Sequence, residues 1–224
     1  MVRKVEVVSY NPAWPAMFKG ESKLLKAALG RNCMAVFHIG STAVKDMMAK
    51  PIIDILVSVK DLGQVDACVE KMADLGYEAL GENGIPGRRF FRKGGLQPTH
   101  HVHIYENSNQ EEIQRHLAVV EYLSGNEKRR EEYAQLKQFL AEAYPEDIEG
   151  YMEGKAYFVA QLEQEALNSR SEGEAEVSAS GRSVSVSLGM CLGLVLGLTV
   201  FDNIGTGLCI GLCIGIAIRA LKKD

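Results

Sequence analysis

The segment Ile52-Ile53-Asp54-Ile55-Leu56-Val57 sets one carboxylate inside an otherwise unbroken aliphatic run. Such a run marks a central strand covered on both faces, and it commits the chain to a sheet buried in its own core. An acidic side chain at that place needs a partner, because an isolated buried charge is strongly destabilising. An earlier aliphatic strand, Ala35-Val36-Phe37-His38-Ile39, runs straight into Gly40-Ser41. Glycine leaves the backbone open to a close-lying phosphate, and the serine adds a hydroxyl donor. An acid on the neighbouring strand can then hold the divalent metal that bridges such phosphates.

The rest of the body alternates between the two periodicities. Trp14, Met17, Phe18, Leu24, Leu25 and Ala28 recur at helical spacing, which predicts a helix over Pro12–Leu29. Val65–Leu75 reads as a helix closed by Gly76, and Arg89–Arg92 and His100–Tyr105 as strands separated by Lys93-Gly94-Gly95. Three helices follow: one through Ile113, Leu117, Val120 and Leu123, one through Tyr133, Leu136 and Leu140, and one over Glu149–Leu167. Strands early and helices late predict an α+β fold, a mixed sheet backed by helices.

Composition divides the chain into three parts. Residues 1–168 form the domain, 169–183 hold almost nothing apolar and read as a flexible linker, and 184–224 form an apolar tail. In the tail, Gly189, Gly193 and Gly197 precede Asp202-Asn203, and Gly207, Gly211 and Gly215 follow it. Glycine at every fourth position lines one helix face, so the tail reads as a glycine-zipper helical hairpin. Val184–Phe201 as a helix is about 27 Å long, close to the hydrocarbon thickness of a bilayer. Arg182 before the first stretch and Arg219, Lys222 and Lys223 after the second keep both ends on the cytoplasmic side. A membrane anchor is expected; the alternative is a soluble hairpin that makes homo-oligomers or packs on its own body. One tilted span through the whole tail would hold Asp202 in mid-bilayer at about 3 kcal/mol.

Charge limits the partners. The net charge is -4, and the tail's acidic and basic residues cancel, so the domain is mildly acidic and a bulk nucleic-acid footprint is excluded. A local basic pocket for a small phosphorylated ligand remains open. The five cysteines form no CxxC pair, which argues against a zinc finger or a disulfide framework and for reduced thiols in the cytoplasm. The first residues hold no apolar stretch of a secretory signal.

Several stretches together resemble the GrpB family. They are Tyr10-Asn11-Pro12-Ala13-Trp14-Pro15, His38-Ile39-Gly40-Ser41-Thr42, Lys50-Pro51-Ile52-Ile53-Asp54, Gly81–Arg89, Thr99-His100-His101-Val102-His103 and Gly154-Lys155-Ala156-Tyr157-Phe158. The resemblance covers about residues 5–165. It implies a nucleotidyltransferase fold of the polymerase β type, and with it an NTP and a divalent metal. Some members are fused to dephospho-coenzyme A kinase, which implies a nucleotide or a coenzyme A-like ligand. Two departures stand out. Active nucleotidyltransferases carry Asp-x-Asp on the second strand, and here Ile52 occupies the first of those positions, ahead of Asp54. Lys45-Asp46 stands where family members often have Pro-Gly.

The candidate site follows. Gly40, Ser41, Thr42 and Lys50 are expected to hold phosphates, and Arg88 and Arg89 further anionic groups. Asp54, His101 and His103 are expected to ligate the metal (Mg or Mn, or Zn), with Asp54 and His103 catalytic. In a strand His101, His103 and Tyr105 share a face, and a mixed oxygen and nitrogen set suits those metals. Each assignment has a plainer alternative: a histidine satisfying a core hydrogen bond, and an arginine cluster that is only a solvated hairpin. Glu82 is read as facing the ligand, His116 as exposed, and His38 as either packing or ligand contact. The expected activity is nucleotidyl or phosphoryl transfer to a small acceptor. The alternatives are a membrane-tethered nucleotide or coenzyme A-like sensor without catalysis, and a glycine-zipper oligomer.

Overall fold

The computed structural model describes residues 4–199, with side chains described through residue 173. The chain divides into two compact units, Met1–Asn168 and Ser169–Asp224.

In the first unit, α1 (Trp14–Leu29) starts where the Asn11 side chain accepts from the Ala13 N–H at 2.9 Å. Pro15 in its first turn lacks only an N–H that has no helical partner there. Next come β1 (Cys33–Ile39) and β2 (Ile53–Val59), then two short helices, α2 (Leu62–Asp66) and α3 (Val69–Asp74). The single helix expected over Val65–Leu75 is interrupted at Ala67-Cys68, and both Val65 and Met72 are fully buried against the sheet. The strands β3 (Tyr77–Ala79), β4 (Arg88–Lys93) and β5 (His100–Glu106) complete a five-stranded sheet of order β1-β2-β5-β4-β3. β2 and β5 run parallel and the other neighbours antiparallel, so the fold is mixed α+β as expected.

Alternation along the strands sorts residues between the two faces. Ile53, Ile55, Val57 and Val59 of β2, Val102 and Ile104 of β5 and Phe91 of β4 pack with Trp14, Leu25 and Leu29 of α1. On the other face Ile39, Leu56 and Tyr105 meet Ile113. That residue belongs to α4 (Gln110–Gly125), followed by α5 (Glu127–Ala143) and α6 (Ile148–Thr199). Asn109 and Asn126 cap α4 and α5 by accepting from Glu112 and Arg129 N–H groups. Arg115–Glu163 and Arg129–Glu165, at 2.5 and 2.6 Å, tie α4 and α5 to the first part of α6.

In the second unit the described backbone is helical through Thr199. Residues 169–183 are therefore helix where their composition suggested a flexible linker. The stretch holds no proline and includes Glu172, Glu174, Ala175, Glu176 and Ala179, good helix formers. Among the described residues no helix is long and apolar enough to cross a membrane. The expected turn at Asp202-Asn203 and the second apolar stretch lie outside the described residues, and the hairpin and zipper contacts with them.

Two glycines make opposite predictions. Gly94, in the β4–β5 turn, has φ 101°, and a Cβ there would lie 2.5 Å from the Gln97 carbonyl and 2.9 Å from the Thr99 nitrogen. Gly20 is exposed inside α1 with open space around its missing Cβ. Gly94→Ala is expected to lower unfolding stability by about 2 kcal/mol, and Gly20→Ala to raise it by about 0.5–1 kcal/mol. Chemical denaturation of both variants beside the parent checks this, and equal shifts of one sign would contradict it.

Candidate functional site

Six of the seven residues of β2 are buried, and Asp54 is the exception. Its side chain retains 30% of its surface, opening into a cavity of about 590 Å³ on the face covered by α4, α5 and α6. Register explains its neighbours: Asp54 pairs with Ile39 of β1 on one side and with His101 of β5 on the other. The chain leaves Ile39 through Gly40, whose φ of 68° brings the turn onto the carboxylate. A Cβ at Gly40 would lie 2.6 Å from Asp54 Oδ2, so glycine is needed both for conformation and for space. Asp54 therefore lies directly against the Gly40-Ser41 turn.

His101 Nδ1 lies 3.2 Å from Asp54 Oδ1. Burial opposes ionisation of Asp54, but the His101 hydrogen bond, helped by neighbouring basic groups with Lys155 among them, outweighs it and holds the carboxyl below its usual range. An ionised carboxylate only accepts, so Nδ1 of His101 carries a hydrogen, which leaves Nε2 as the nitrogen facing away from Asp54.

The cavity wall is rich in cations. Lys50, Arg88, Arg92, Lys137 and Lys155 line it, against the carboxylates of Asp54 and Glu163, and Glu163 is already paired with Arg115. Lys137 is only 2% exposed; its ammonium donates to Ser41 Oγ at 3.1 Å and to the Met48 carbonyl. Burial, then the Lys155 and Lys50 charges, push Lys137 down to about 7. Burial also lowers Lys155, and Asp54 partly opposes that. Lys50 lies 4.9 Å over the ring of Tyr151, and Lys155 lies 5.7 Å from the same ring.

Arg88 is 5% exposed and donates to the carbonyls of Glu82 and Asn83, at 3.1 and 2.7 Å. Its Nη1 also lies 3.3 Å from His103 Nδ1. A guanidinium cannot accept, so that nitrogen of His103 is the acceptor and Nε2 holds the hydrogen. Burial pushes His103 down to about 3 and His116 to about 4, so both rings are neutral.

Several sequence expectations need correction. His103 shares the cavity wall with Asp54 and His101, yet its Nδ1 is taken by Arg88, and a neutral ring titrating near 3 is a poor proton acceptor; His101 is the histidine paired with Asp54. Among the described residues no three His, Cys, Asp or Glu side chains are grouped to hold a metal ion. The set Asp54, His101 and His103 does not fit a protein-held metal: one carboxylate is present, it is committed to His101, and cations surround it.

Arg89 points away, as a strand neighbour of Arg88 must, and forms a two-pronged pair with Asp66 at 2.6 and 2.8 Å. Lys93 likewise reaches Glu21 on the opposite face. Thr42 lines the cavity, but its hydroxyl donates to the Ile52 carbonyl at 3.2 Å and accepts from His38 Nε2 at 3.0 Å, tying the turn to β2. His38 stacks on Phe18 and is a packing residue. The Glu82 carboxylate accepts from the Gly87 N–H at 2.8 Å and shapes the loop instead of facing a ligand. His116 is half-buried rather than exposed; it lines the cavity, and its buried Nε2 has no hydrogen-bond partner.

Lys137 and Lys155 were given no site role from the sequence, and His116 was read as exposed. Lys137 had a legible signal: in α5 it falls at helical spacing between Tyr133 and Leu140, on the inward face, where a lysine needs a reason. Asp46, one residue of the Lys45-Asp46 departure, takes φ 62°, the conformation a glycine would adopt there.

Comparison with known proteins bears on the same residues. A family model described as GrpB protein matches residues 4–165. The chain is 44% identical over 164 residues to UPF0157 protein YqkA of Bacillus subtilis (strain 168), covering 73% of this chain and 48% of that protein. The chain thus spans about half the length of that relative. The crystal structure of conserved protein GrpB from Enterococcus faecalis superposes with a TM-score of 0.72 at 45% identity, covering 74% of this chain and 99% of that one. The poly(U) polymerase Cid1 in complex with ApU aligns more weakly, with 13% identity and a TM-score of 0.43 over 58% of this chain and 42% of its own. With most of the domain matched by the family model, and the Gly40 turn, Asp54 and both histidines within the match, the chain belongs to the GrpB family.

Proposed function

We propose that this domain binds a phosphorylated small molecule of nucleotide size and transfers its phosphoryl or nucleotidyl group to a hydroxyl acceptor. The observation that carries the binding half is the buried Lys137 ammonium beside the Gly40-Ser41 turn, in a cavity whose basic side chains outnumber its acidic ones. A volume of about 590 Å³ falls within the range of small-molecule sites. Cations in a partly closed cavity favour phosphate more strongly than they would in open water.

The Asp54–His101 pair supports the transfer half. Asp54 fixes the His101 tautomer and would stabilise the imidazolium, which leaves Nε2 to accept the proton of an incoming hydroxyl. In the proposed step the hydroxyl oxygen bonds to phosphorus, its proton passes to His101 Nε2, and the bond to the leaving phosphate breaks. Lys137 and Arg88 would meet the charge developing on the departing oxygens. With an NTP as donor, pyrophosphate or a nucleoside diphosphate departs. No step is assigned to a protein-held metal, since the donor set does not fit one.

Two outcomes test this reading. His101→Asn is expected to lower release of phosphate or pyrophosphate from NTPs by about 10²–10⁴-fold while nucleotide affinity stays within a few-fold. Release at the parental rate would overturn His101 as the base, and binding without release in the parent would leave only the sensor reading. The second concerns pH. Lys137 carries its charge below about 7 and loses it above, so nucleotide affinity is expected to fall as pH rises from about 6 to about 8. Lys137→Met removes that part of the slope. Ionisation of the ligand is common to both proteins, so the difference between their calorimetric titrations isolates the lysine; identical slopes would contradict its role.

A further inference from the structure

The basic residues near the cavity fall into two classes according to what holds them. Arg89, Arg92 and Lys93 each end on a carboxylate, Asp66, Glu78 and Glu21 respectively, so their charge is balanced within the protein. Lys137 and Arg88 are held differently. The Lys137 ammonium is fixed by a hydroxyl and a carbonyl, and the Arg88 guanidinium by two carbonyls and the neutral His103 ring. Each is locked in place by uncharged acceptors, and both are nearly inaccessible except from the cavity they line. Placing two such cations in the interior is electrostatically unfavourable until an anion joins them.

A site built to receive phosphates through metal ions converges carboxylates on them. Here the single cavity carboxylate not paired with an arginine, Asp54, is bonded to His101 and lies among positive charges that would repel a divalent cation. We infer that the cavity takes a di- or triphosphate group in its metal-free form, with Lys137 and Arg88 supplying the positive charge that magnesium supplies in metal-centred sites. The inference rests on the reading of the cavity as a phosphate site and goes beyond it, since it specifies which ionic form of the ligand is recognised. It also gives Asp54 an unexpected part in binding: its charge opposes the phosphate, so neutralising it strengthens binding even where it slows transfer.

The test is calorimetric titration of the full chain with inorganic pyrophosphate, once with EDTA and once with excess magnesium. Binding is expected with EDTA, and magnesium is expected to weaken it by complexing the free anion. Asp54→Asn, a substitution of the same shape, is expected to tighten binding with EDTA several-fold. Lys137→Met and Arg88→Met are each expected to weaken it about tenfold or more, with circular dichroism confirming that they fold. Binding that appears only with magnesium, or that Asp54→Asn abolishes, would overturn the inference and leave the phosphate reading standing. No binding of pyrophosphate under either condition would overturn both.

Discussion

Parallel pairing of β2 with β5 is the constraint from which the site follows. It places Asp54 across from His101, while the antiparallel partner on the other side delivers Ile39 and then Gly40 against the same carboxylate. A one-residue slip in either register would turn Asp54 into the face packed under α1, where no cation could reach it, and would turn Ile53 and Ile55 out of that face. That face is secured by the aliphatic residues of β2 and β5 under α1, so hydrophobic burial on one side of the sheet fixes the chemistry of the other.

On the open face, the helices determine the sign of the potential. α5 brings Lys137, α6 brings Lys155, and the start of β4 brings Arg88. Desolvation lowers the proton affinity of both ammonium groups, and for Lys137 the Lys155 and Lys50 charges work in the same direction. A bound polyanion would offset these effects, so that the proposed ligand binding and lysine protonation would be linked. The neutral rings of His103 and His116 complete the wall, and the orphaned Nε2 of His116 is a polar group that a ligand in the cavity could satisfy.

Much of this was legible in the amino-acid order, for local reasons. The unbroken run around Asp54 identified the central strand, and period-two alternation put His101, His103 and Tyr105 on one face. Roles that depend on distant partners were not legible. Arg88 and Arg89 are equivalent in sequence, yet strand alternation sends one into the cavity and the other to Asp66, on a helix more than twenty residues earlier. His103 looked like a metal ligand until Arg88 occupied its Nδ1. Lys137 lies 96 residues from the serine it bonds, a separation that no local pattern encodes. The helix through 169–183 was missed for a different cause: a polar composition with Gly173 and Gly181 suggested a linker, although its glutamates and alanines favour helix and it holds no proline.

The most direct check of the phosphate reading is a crystal structure of the full chain with a nucleoside triphosphate in magnesium-free buffer. The phosphates are expected between the Gly40-Ser41 turn and the Lys137 and Arg88 side chains, with the Asp54–His101 hydrogen bond intact. Phosphates bound elsewhere on the domain, or an empty cavity at saturating ligand, would contradict the account.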